Sequence, residues 1–598
     1  MQNKKTIFVC CGTGCQASGS MKIYQTMQKI ISKLDLDVEV VADIKKTGCH
    51  GLCQKGPLVH ITPQEITYIH VKTTDVQEII ERSIIKDEVI DRLLYFDKQQ
   101  NAKIQSKNDW SFEKKQFRIA LRHCGCIAND SIDDYIAKGG YQALEKVLKT
   151  MTPQEVIDEI RKSSLRGRGG GGFLTGLKWS FAAKAQGDIK YVICNGDEGD
   201  PGAFMDRSIM EGDPHTVLEG MAICGYAIGA NRAFLYIRDE YGLAVENMKK
   251  AIADAHARGV MGQNIFGSGF AFDAEVVRGG GAFVCGEETS LIHSIEGSTG
   301  EPTSKPPFPA NQGLWGKPTI INNVETWANV PVIISKGADW FASIGSEKSK
   351  GTKVFALVGK INNTGLVEVP MGIKLREIIF DIGGGIEKKR KFKAVQTGGP
   401  SGGCIPESKL DLPIDYDSLI AEGSMMGSGG MIVIDDRTCM VEFARYYLKF
   451  LSEESCGKCV PCREGIKSML KILNDICEGK GQEGDIELLE EIGSMVKANS
   501  LCGLGKTAPN PVLSNIKNFR DEFEAHIKDK RCPAGVCKNL TKLYIDQEAC
   551  IGCGLCAKSC PTAAISGEKK QPHVLDEAKC INCNSCRERC AVDAIRVH

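Results

Sequence analysis

The C-terminal segment 543–598 repeats one cysteine pattern: Cys550, Cys553, Cys556 and Cys560 before Pro561, then Cys580, Cys583, Cys586 and Cys590. Few folds can serve such spacing except by wrapping metal. The flanks repeat too (EACIGCGLCAKSCPTAAI, AKCINCNSCRERCAVDAI), so two copies of one unit fold back on each other as a pseudo-symmetric domain. The chain has 27 cysteines in 598 residues, bunched at the N-terminus, around 456–502 and over 532–590. A disulfide scaffold would instead spread them through one small domain. The N-terminus, MQNKKTIFVCCGTGC, lacks the apolar stretch and small-residue cleavage site of a signal peptide. A cytoplasmic location follows as the expectation, and in reducing cytosol thiols bind metal or do redox chemistry.

Net charge is zero, which gives no bulk support for nucleic-acid binding. No run of about 18 apolar residues predicts a transmembrane segment. The length predicts several domains, since one core rarely exceeds about 250–300 residues. Residues 1–85 alternate strand and helix, with strands TIFVC, LDVEVVAD and PLVHIT and a helix over 20–34. Residues 86–115 are charged and aperiodic, a linker. Residues 116–345 carry strands ending in glycine loops, an α/β domain with ligands at the loop tips. A small β-rich domain spans 346–430 and a helical bundle 431–525. Residues 526–542 form a short connection to the tail.

The tail spacing resembles the bacterial ferredoxin run, in which the fourth thiolate ligates the other cluster. One [4Fe–4S] cluster then takes Cys550, Cys553, Cys556 and Cys590, and a second takes Cys560, Cys580, Cys583 and Cys586. Two zinc knuckles are the alternative, but zinc sites pair two CxxC units across a longer gap.

In the middle, Gly167-x-Gly169-x-x-Gly172 formally matches the dinucleotide fingerprint. A Rossmann loop follows a strand, however, and TPQEVIDEIRKSSL reads as a helix with Thr152 as N-cap and Pro153 in the first turn. The loop is therefore not an ordinary Rossmann turn. Its glycines still let backbone amides approach a phosphate or a ring, with Lys178 as a cation. A flexible linker is the alternative, at odds with Phe173, Leu174, Leu177 and Trp179. Asn195, Asp197, Glu198 and Asp200 end the strand YVIC, where α/β folds read ligands. Gly286, Glu287 and Glu288 repeat that design, Phe308 offers a ring on a proline-stiffened loop, and Asn322 and Asn323 end a short strand.

In this order, these motifs resemble the NADH-oxidising flavoprotein subunit of respiratory complex I over about residues 116–520. The resemblance implies FMN contacts at Gly167, Gly169, Lys178, Asn195, Asp197, Glu198, Gly286, Glu287, Asn322 and Asn323. It implies NAD(H) near Gly170, Gly171, Phe173, Lys178, Asp200, Glu288 and Phe308, with Glu288 and Lys178 as the catalytic pair. It departs at Asp200, where the family often has glutamate.

Cys456, Cys459 and Cys462 supply three ligands of a further [4Fe–4S] cluster, with Cys502 as the distant fourth and Cys477 as its competitor. Cys10-x4-Cys15 and Cys49-x3-Cys53 offer four thiolates for a [2Fe–2S] centre, resembling thioredoxin-like ferredoxins, with Cys11 able to replace Cys10. A redox disulfide is disfavoured, since neither loop is a CxxC. His526, Cys532 and Cys537 with Cys439 could hold a structural zinc, the alternative being buried free thiols. Cys124, Cys126, Cys194, Cys224, Cys285 and Cys404 show no ligand spacing and are expected as small buried residues.

The fold class is thus multidomain α/β and α+β: thioredoxin-like [2Fe–2S] domain, complex I flavoprotein-like domain, small β-grasp-like domain, helical bundle and double-cluster ferredoxin tail. Nearly the whole chain resembles beta subunits of cytosolic multimeric [FeFe]-hydrogenases. That resemblance implies an NAD(H)-dependent oxidoreductase subunit carrying FMN, one [2Fe–2S] and three [4Fe–4S] clusters. It further implies electron bifurcation among hydrogen, NAD(H) and ferredoxin. Implied partners are a small thioredoxin-like [2Fe–2S] subunit, a hydrogenase or formate dehydrogenase catalytic subunit, and soluble ferredoxin. The diaphorase subunit of an NAD(P)H-linked formate dehydrogenase or of an NADP-reducing hydrogenase is the near alternative, and an electron-transfer module without nicotinamide binding the distant one.

Overall fold

The computed structural model describes residues 5–34 and 42–597. The chain divides into two compact units, one of residues 1–389, 395–399 and 408–433, the other of 390–394, 400–407 and 434–598.

The first unit opens with strands β1 (Lys5–Cys10), β2 (Ala42–Thr47), β3 (Val59–Thr62) and β4 (Ile66–Tyr68) in the sheet order β2-β1-β3-β4. The first two run parallel, which requires a crossover, supplied by helix α1 (Ser20–Leu34). Ile23, Met27 and Ile31, four residues apart, form one stripe and bury it against the sheet. The strand expected over 36–43 falls almost wholly outside the described residues, and the described strand starts at Ala42.

Residues 86–115, expected as a linker, are folded instead. They form a hairpin of Tyr95–Asp97 with Ala102–Ile104 and bury Leu93, Tyr95, Trp110 and Phe112. The charged residues between these anchors hide a satellite core too short to show a period.

Next comes a four-stranded parallel sheet. It contains β5 (Tyr191–Gly196), β6 (Arg232–Arg238), β7 (Asp273–Gly279) and β8 (Thr319–Asn323), in the order β8-β5-β6-β7. From β5 the chain moves to one side for β6 and β7, then returns to the other side for β8. The crevice at the C-terminal ends of β5 and β8 is thus a topological switch point. Helix α2 (Pro153–Lys162) precedes the glycine loop, with a Thr152–Glu155 capping box. Helices α3 (Thr175–Lys184), α4 (Met205–Gly212), α5 (Pro214–Ile228), α6 (Glu288–Ile295) and α7 (Val324–Lys336) follow around the sheet. α5 is apolar nearly all round, and is accordingly buried along almost its whole length.

Beyond these, β9 (Thr352–Gly359) pairs antiparallel with β10 (Gly365–Pro370) and parallel with Gly430–Val433. Glu368, fully buried on β10, accepts the amides of Ile119, Ala120 and Leu121 at 2.8, 2.9 and 2.8 Å and the Thr352 hydroxyl at 2.5 Å.

In the second unit, α8 (Met440–Glu454), α9 (Val460–Cys477), α10 (Asp485–Asn499) and α11 (Asn510–Ile527) form the bundle. The tail pairs Leu543–Ile545 with Ile595–Val597 and Ile565–Ser566 with Val574–Leu575, and adds two short helices, Leu555–Ser559 and Ser585–Arg589. This is the two-copy arrangement its repeat predicts. Among the described residues no helix is long and apolar enough to cross a membrane.

Replacing Glu368 by alanine strands several buried donors, and we expect it to cost about 3 kcal/mol. A shift in the thermal midpoint of the flavin-loaded chain measures the loss, and an unchanged midpoint would contradict this role.

Candidate functional site

At the switch point the ends of β5 and β8 lie side by side, with Asn195 opposite Asn323. The Asn195 amide donates to Gly286 O at 2.9 Å while its oxygen accepts from Asp197 N at 3.0 Å, tying the two acidic loops together. Asn323 caps α7 through Glu325 N (2.9 Å) and donates to Asp206 at 2.6 Å. Asn322 lies with its amide against Ile321 O and Trp179 Nε1.

The glycine loop arches over this edge. Gly167 N donates to Phe173 O at 2.8 Å, and Gly167 O accepts from the Tyr416 hydroxyl at 2.7 Å. Gly172 has φ +62°, and a Cβ there would strike the Tyr416 ring at 2.7 Å, so only glycine fits. A Cβ on Gly169 would reach Asn323 Cβ at 3.1 Å, one on Gly170 the Gly427 backbone at 3.1 Å, and Gly171 faces open space.

Lys178, on α3, forms an ion pair with Glu288 and donates to Ile321 O at 2.7 Å. Lys305 pairs with Glu288 at 3.1 Å and with Glu287 at 2.9 Å. Burial pushes the Glu288 carboxyl up, but Lys178 and Lys305 outweigh it and hold the group down at about 2. The contribution of these pairs to stability is present above the ordinary glutamate pKa of about 4.3 and is lost as pH falls toward 2. Glu288 is therefore an anion at neutral pH, flanked by two cations. Lys305 was missed as a site residue although it stands in the Phe308 motif, because nothing in the sequence pairs it with Glu288.

Two of the acids expected as ligand contacts also accept backbone amides. Glu287 caps α6 by accepting Thr289 N and Ser290 N at 2.9 and 3.1 Å. Glu198 is buried and accepts Asp206 N and Arg207 N, the first turn of α4, at 3.1 and 3.2 Å. The Asp197 carboxylate lies 3.9 Å from Arg238, and a Cβ on Gly286 would meet it at 3.4 Å. Asp200 accepts from the Ser428 hydroxyl at 2.7 Å. Burial, helped by Glu198 and opposed by the Ser428 bond, pushes its carboxyl up to about 6. Phe173 and Phe308 remain 53% and 57% exposed, an unusual state for phenylalanine at the rim of a crevice.

The cysteines converge in sets. Cys49 and Cys53 Sγ lie 3.2 Å apart, and the Cys10 thiol faces both Cys15 and Cys49. Cys11 instead packs in the domain core beside Ser20. In the second unit the Cys462 thiol lies in the field of Cys459, Cys502 and Cys456, and a Cβ on Gly505 would come within 3.2 Å of Cys462 Cβ. Cys477 lies elsewhere, beside Cys537. One tail cavity is lined by Cys550, Cys553, Cys556 and Cys590, another by Cys560, Cys580, Cys583 and Cys586.

Cys439, His526, Cys532 and Cys537 bring four ligand atoms within 4.8 Å of one another, all buried. His526 Nδ1 meets Glu522 O at 2.7 Å, leaving Nε2 at 3.3 Å from Cys439 Sγ. Of the cysteines expected as small buried residues, Cys126 is exposed and the other five are buried. Cys126 follows a left-handed glycine, Gly125, against which His50 packs, and this leaves its side chain outside.

Four family models match the chain. They are a thioredoxin-like [2Fe–2S] ferredoxin over 1–83, the Nuo51 FMN-binding domain over 160–332, the NADH-ubiquinone oxidoreductase-F iron–sulfur binding region over 442–526, and a 4Fe–4S dicluster domain over 544–597. The NADP-reducing hydrogenase subunit HndC of Solidesulfovibrio fructosivorans is 60% identical over 77% of this chain and 94% of its own length. An NADH-quinone oxidoreductase subunit of Escherichia coli is 43% identical over 66% of this chain and 90% of its own. A crystal structure of an NAD+-reducing [NiFe]-hydrogenase in the H2-reduced state aligns with TM-score 0.62 and 28% identity, covering 88% of this chain and 84% of that one. The switch-point crevice, the converging thiols and these matches agree: the chain belongs to the complex I 51-kDa family of flavin- and iron–sulfur-binding oxidoreductase subunits.

Proposed function

We propose that this chain is the flavin-bearing subunit of a cytoplasmic NAD(H)-linked hydrogenase complex. It exchanges hydride between NAD(H) and FMN and single electrons with iron–sulfur clusters, in bifurcation among hydrogen, NAD(H) and ferredoxin. Its partners are a hydrogenase catalytic subunit, a small thioredoxin-like [2Fe–2S] subunit and soluble ferredoxin. The observation that carries this reading is the crevice: a glycine arch, a Lys178–Glu288–Lys305 charge cluster and two exposed phenylalanines at one switch point.

The residues present fit FMN. The asparagine amides at the ends of β5 and β8 offer donors and acceptors, Gly171 faces open space where a ligand can approach the backbone closely, and Lys178 supplies a cation. FMN, when bound, supplies the exchange between two-electron hydride chemistry and one-electron chemistry. Gly167, Gly169, Lys178, Asn195, Asp197, Gly286, Asn322 and Asn323 line its place. Glu198 and Glu287 join them there and also fix the starts of α4 and α6. Gly170, Gly171, Phe173, Lys178, Asp200, Glu288 and Phe308 receive the nicotinamide dinucleotide, Phe308 offering it an exposed aromatic face.

The acids favour ribose hydroxyls and disfavour a second phosphate, which supports NAD(H) over the NADP of the hydrogenase relative. The cysteine sets support one [2Fe–2S] and three [4Fe–4S] clusters with the ligands assigned above. The buried Cys3His group supports one structural zinc, with the Nδ1 bond of His526 fixing its tautomer.

Cofactor load tests the assignment. An anaerobically purified chain should carry about 14 iron atoms, with one flavin and one redox-silent zinc. Iron near 6 or 10 would remove one of the cluster domains. Phe308→Ala should raise KM for NADH about tenfold while flavin stays bound, since an aromatic stack is worth about 1–1.5 kcal/mol. An unchanged KM removes Phe308 from the site. Below pH about 6, protonation of Asp200 should weaken NADH binding, and Asp200→Asn should flatten that limb of the KM profile. A profile identical in both proteins would show that Asp200 does not touch the ribose.

A further inference from the structure

The cysteine loop Cys49–Cys53 is held largely by residues outside its own domain. Leu366 N donates to Gly51 O at 2.7 Å, and a Cβ on Gly48 would lie 2.3 Å from Gly212 Cα. Two further contacts bring charge. Arg118 Nη2 donates to His50 O at 3.1 Å, and a Cβ on Gly51 would lie 2.8 Å from the same nitrogen. Lys107, only 7% exposed, places Nζ 3.5 Å from His50 Nδ1 and 3.9 Å from Cys126 Sγ.

Arg118 has a partner in Glu113 at 2.8 Å. Among the described residues Lys107 has no carboxylate within ion-pair distance. Glu113 feels the Lys107 charge from beyond that distance but is paired with Arg118, and burying an ammonium without a close anion costs several kcal/mol. His50 cannot supply that anion, since an imidazole side chain is neutral or cationic and never negatively charged at ordinary pH. A cluster held by four thiolates is an anion, and it becomes more negative by one electron on reduction. Across the site, Glu211 at the end of α4 accepts Thr13 N at 3.0 Å, and its carboxylate would lie 3.4 Å from a Cβ on Gly12, as would Cys49 N. That carboxylate opposes the two cations.

We propose that Lys107 and Arg118 tune the N-terminal cluster. Set against its Cys49–Cys53 loop from outside the thioredoxin-like domain, they stabilise the reduced state and raise its reduction potential, while Glu211 lowers it. The inference rests on the reading that Cys10, Cys15, Cys49 and Cys53 hold a [2Fe–2S] centre. One electron enters on reduction, and no bond forms or breaks.

A dye-mediated redox titration of the full chain, following the [2Fe–2S] resonance by electron paramagnetic resonance, tests it without turnover. At the wild-type midpoint, Lys107→Met and Arg118→Gln should each lower the ratio of reduced to oxidised cluster about tenfold, or 59 mV for one electron. Glu211→Gln should shift it the other way, and Lys107→Arg should stay near wild type. A general loosening of the loop gives no such pair of opposite signs. Unmoved midpoints in both cation variants, or one sign in all three, overturn the inference. Loss of the signal in both cation variants would assign those residues a structural role instead. A wild-type chain without any [2Fe–2S] resonance would remove the cluster assignment, and the inference with it.

Discussion

Three successive amides, those of Ile119, Ala120 and Leu121, end on the single carboxylate of Glu368. The same device recurs at three other places. Glu219 takes the amides of Tyr141 and Leu144 and the Tyr135 hydroxyl, and Glu198 and Glu287 take the first amides of the helices that flank the crevice. Irregular backbone carries amides that no ladder satisfies, and a buried carboxylate can accept several at once. Burial pushes the Glu198 and Glu219 carboxyls up while the donated amides pull them back, so loop and carboxylate stabilise each other. The crevice depends on this, since without Glu198 and Glu287 the starts of α4 and α6 would have no fixed place at the ends of β5 and β8.

Charge in the crevice is arranged differently. Glu288 is bracketed by Lys178 and Lys305, so an ion-paired cluster stands beside the glycine arch. Asp200, on the same edge, has the Ser428 hydroxyl for a partner rather than a lysine, and burial brings its carboxyl up to about 6. Both acids stand in glycine-rich acidic motifs that look alike in sequence. They differ in how readily they take up a proton because of what each one faces.

The metal-binding sets show how far spacing reaches. Where ligands lie two or three residues apart, as in the tail, the sequence alone groups them, and the two tail cavities are lined by the same groups. Where a ligand comes from a remote segment, spacing leaves a choice. Cys10 and Cys11 are adjacent in sequence, yet the extended backbone turns them to opposite sides, one toward Cys15 and Cys49 and the other into the core. Cys477 competes with Cys502 on spacing, but the turn of α9 carries it away to Cys537. The segment 86–115 is opaque for a related reason, its few anchors being too scattered for any period.

The kinds of domain, the clustering of thiols, the helix ahead of the glycine loop and the acids at strand ends are legible in the sequence. They are written in local spacing, which the backbone translates directly. Tertiary structure alone decided which acids accept backbone amides, that Lys305 completes the charge cluster, and that Lys107 and Arg118 meet the Cys49–Cys53 loop. Those outcomes depend on which charges and amides are brought together from distant segments, and the balance of burial against pairing exists only once the chain has closed around them.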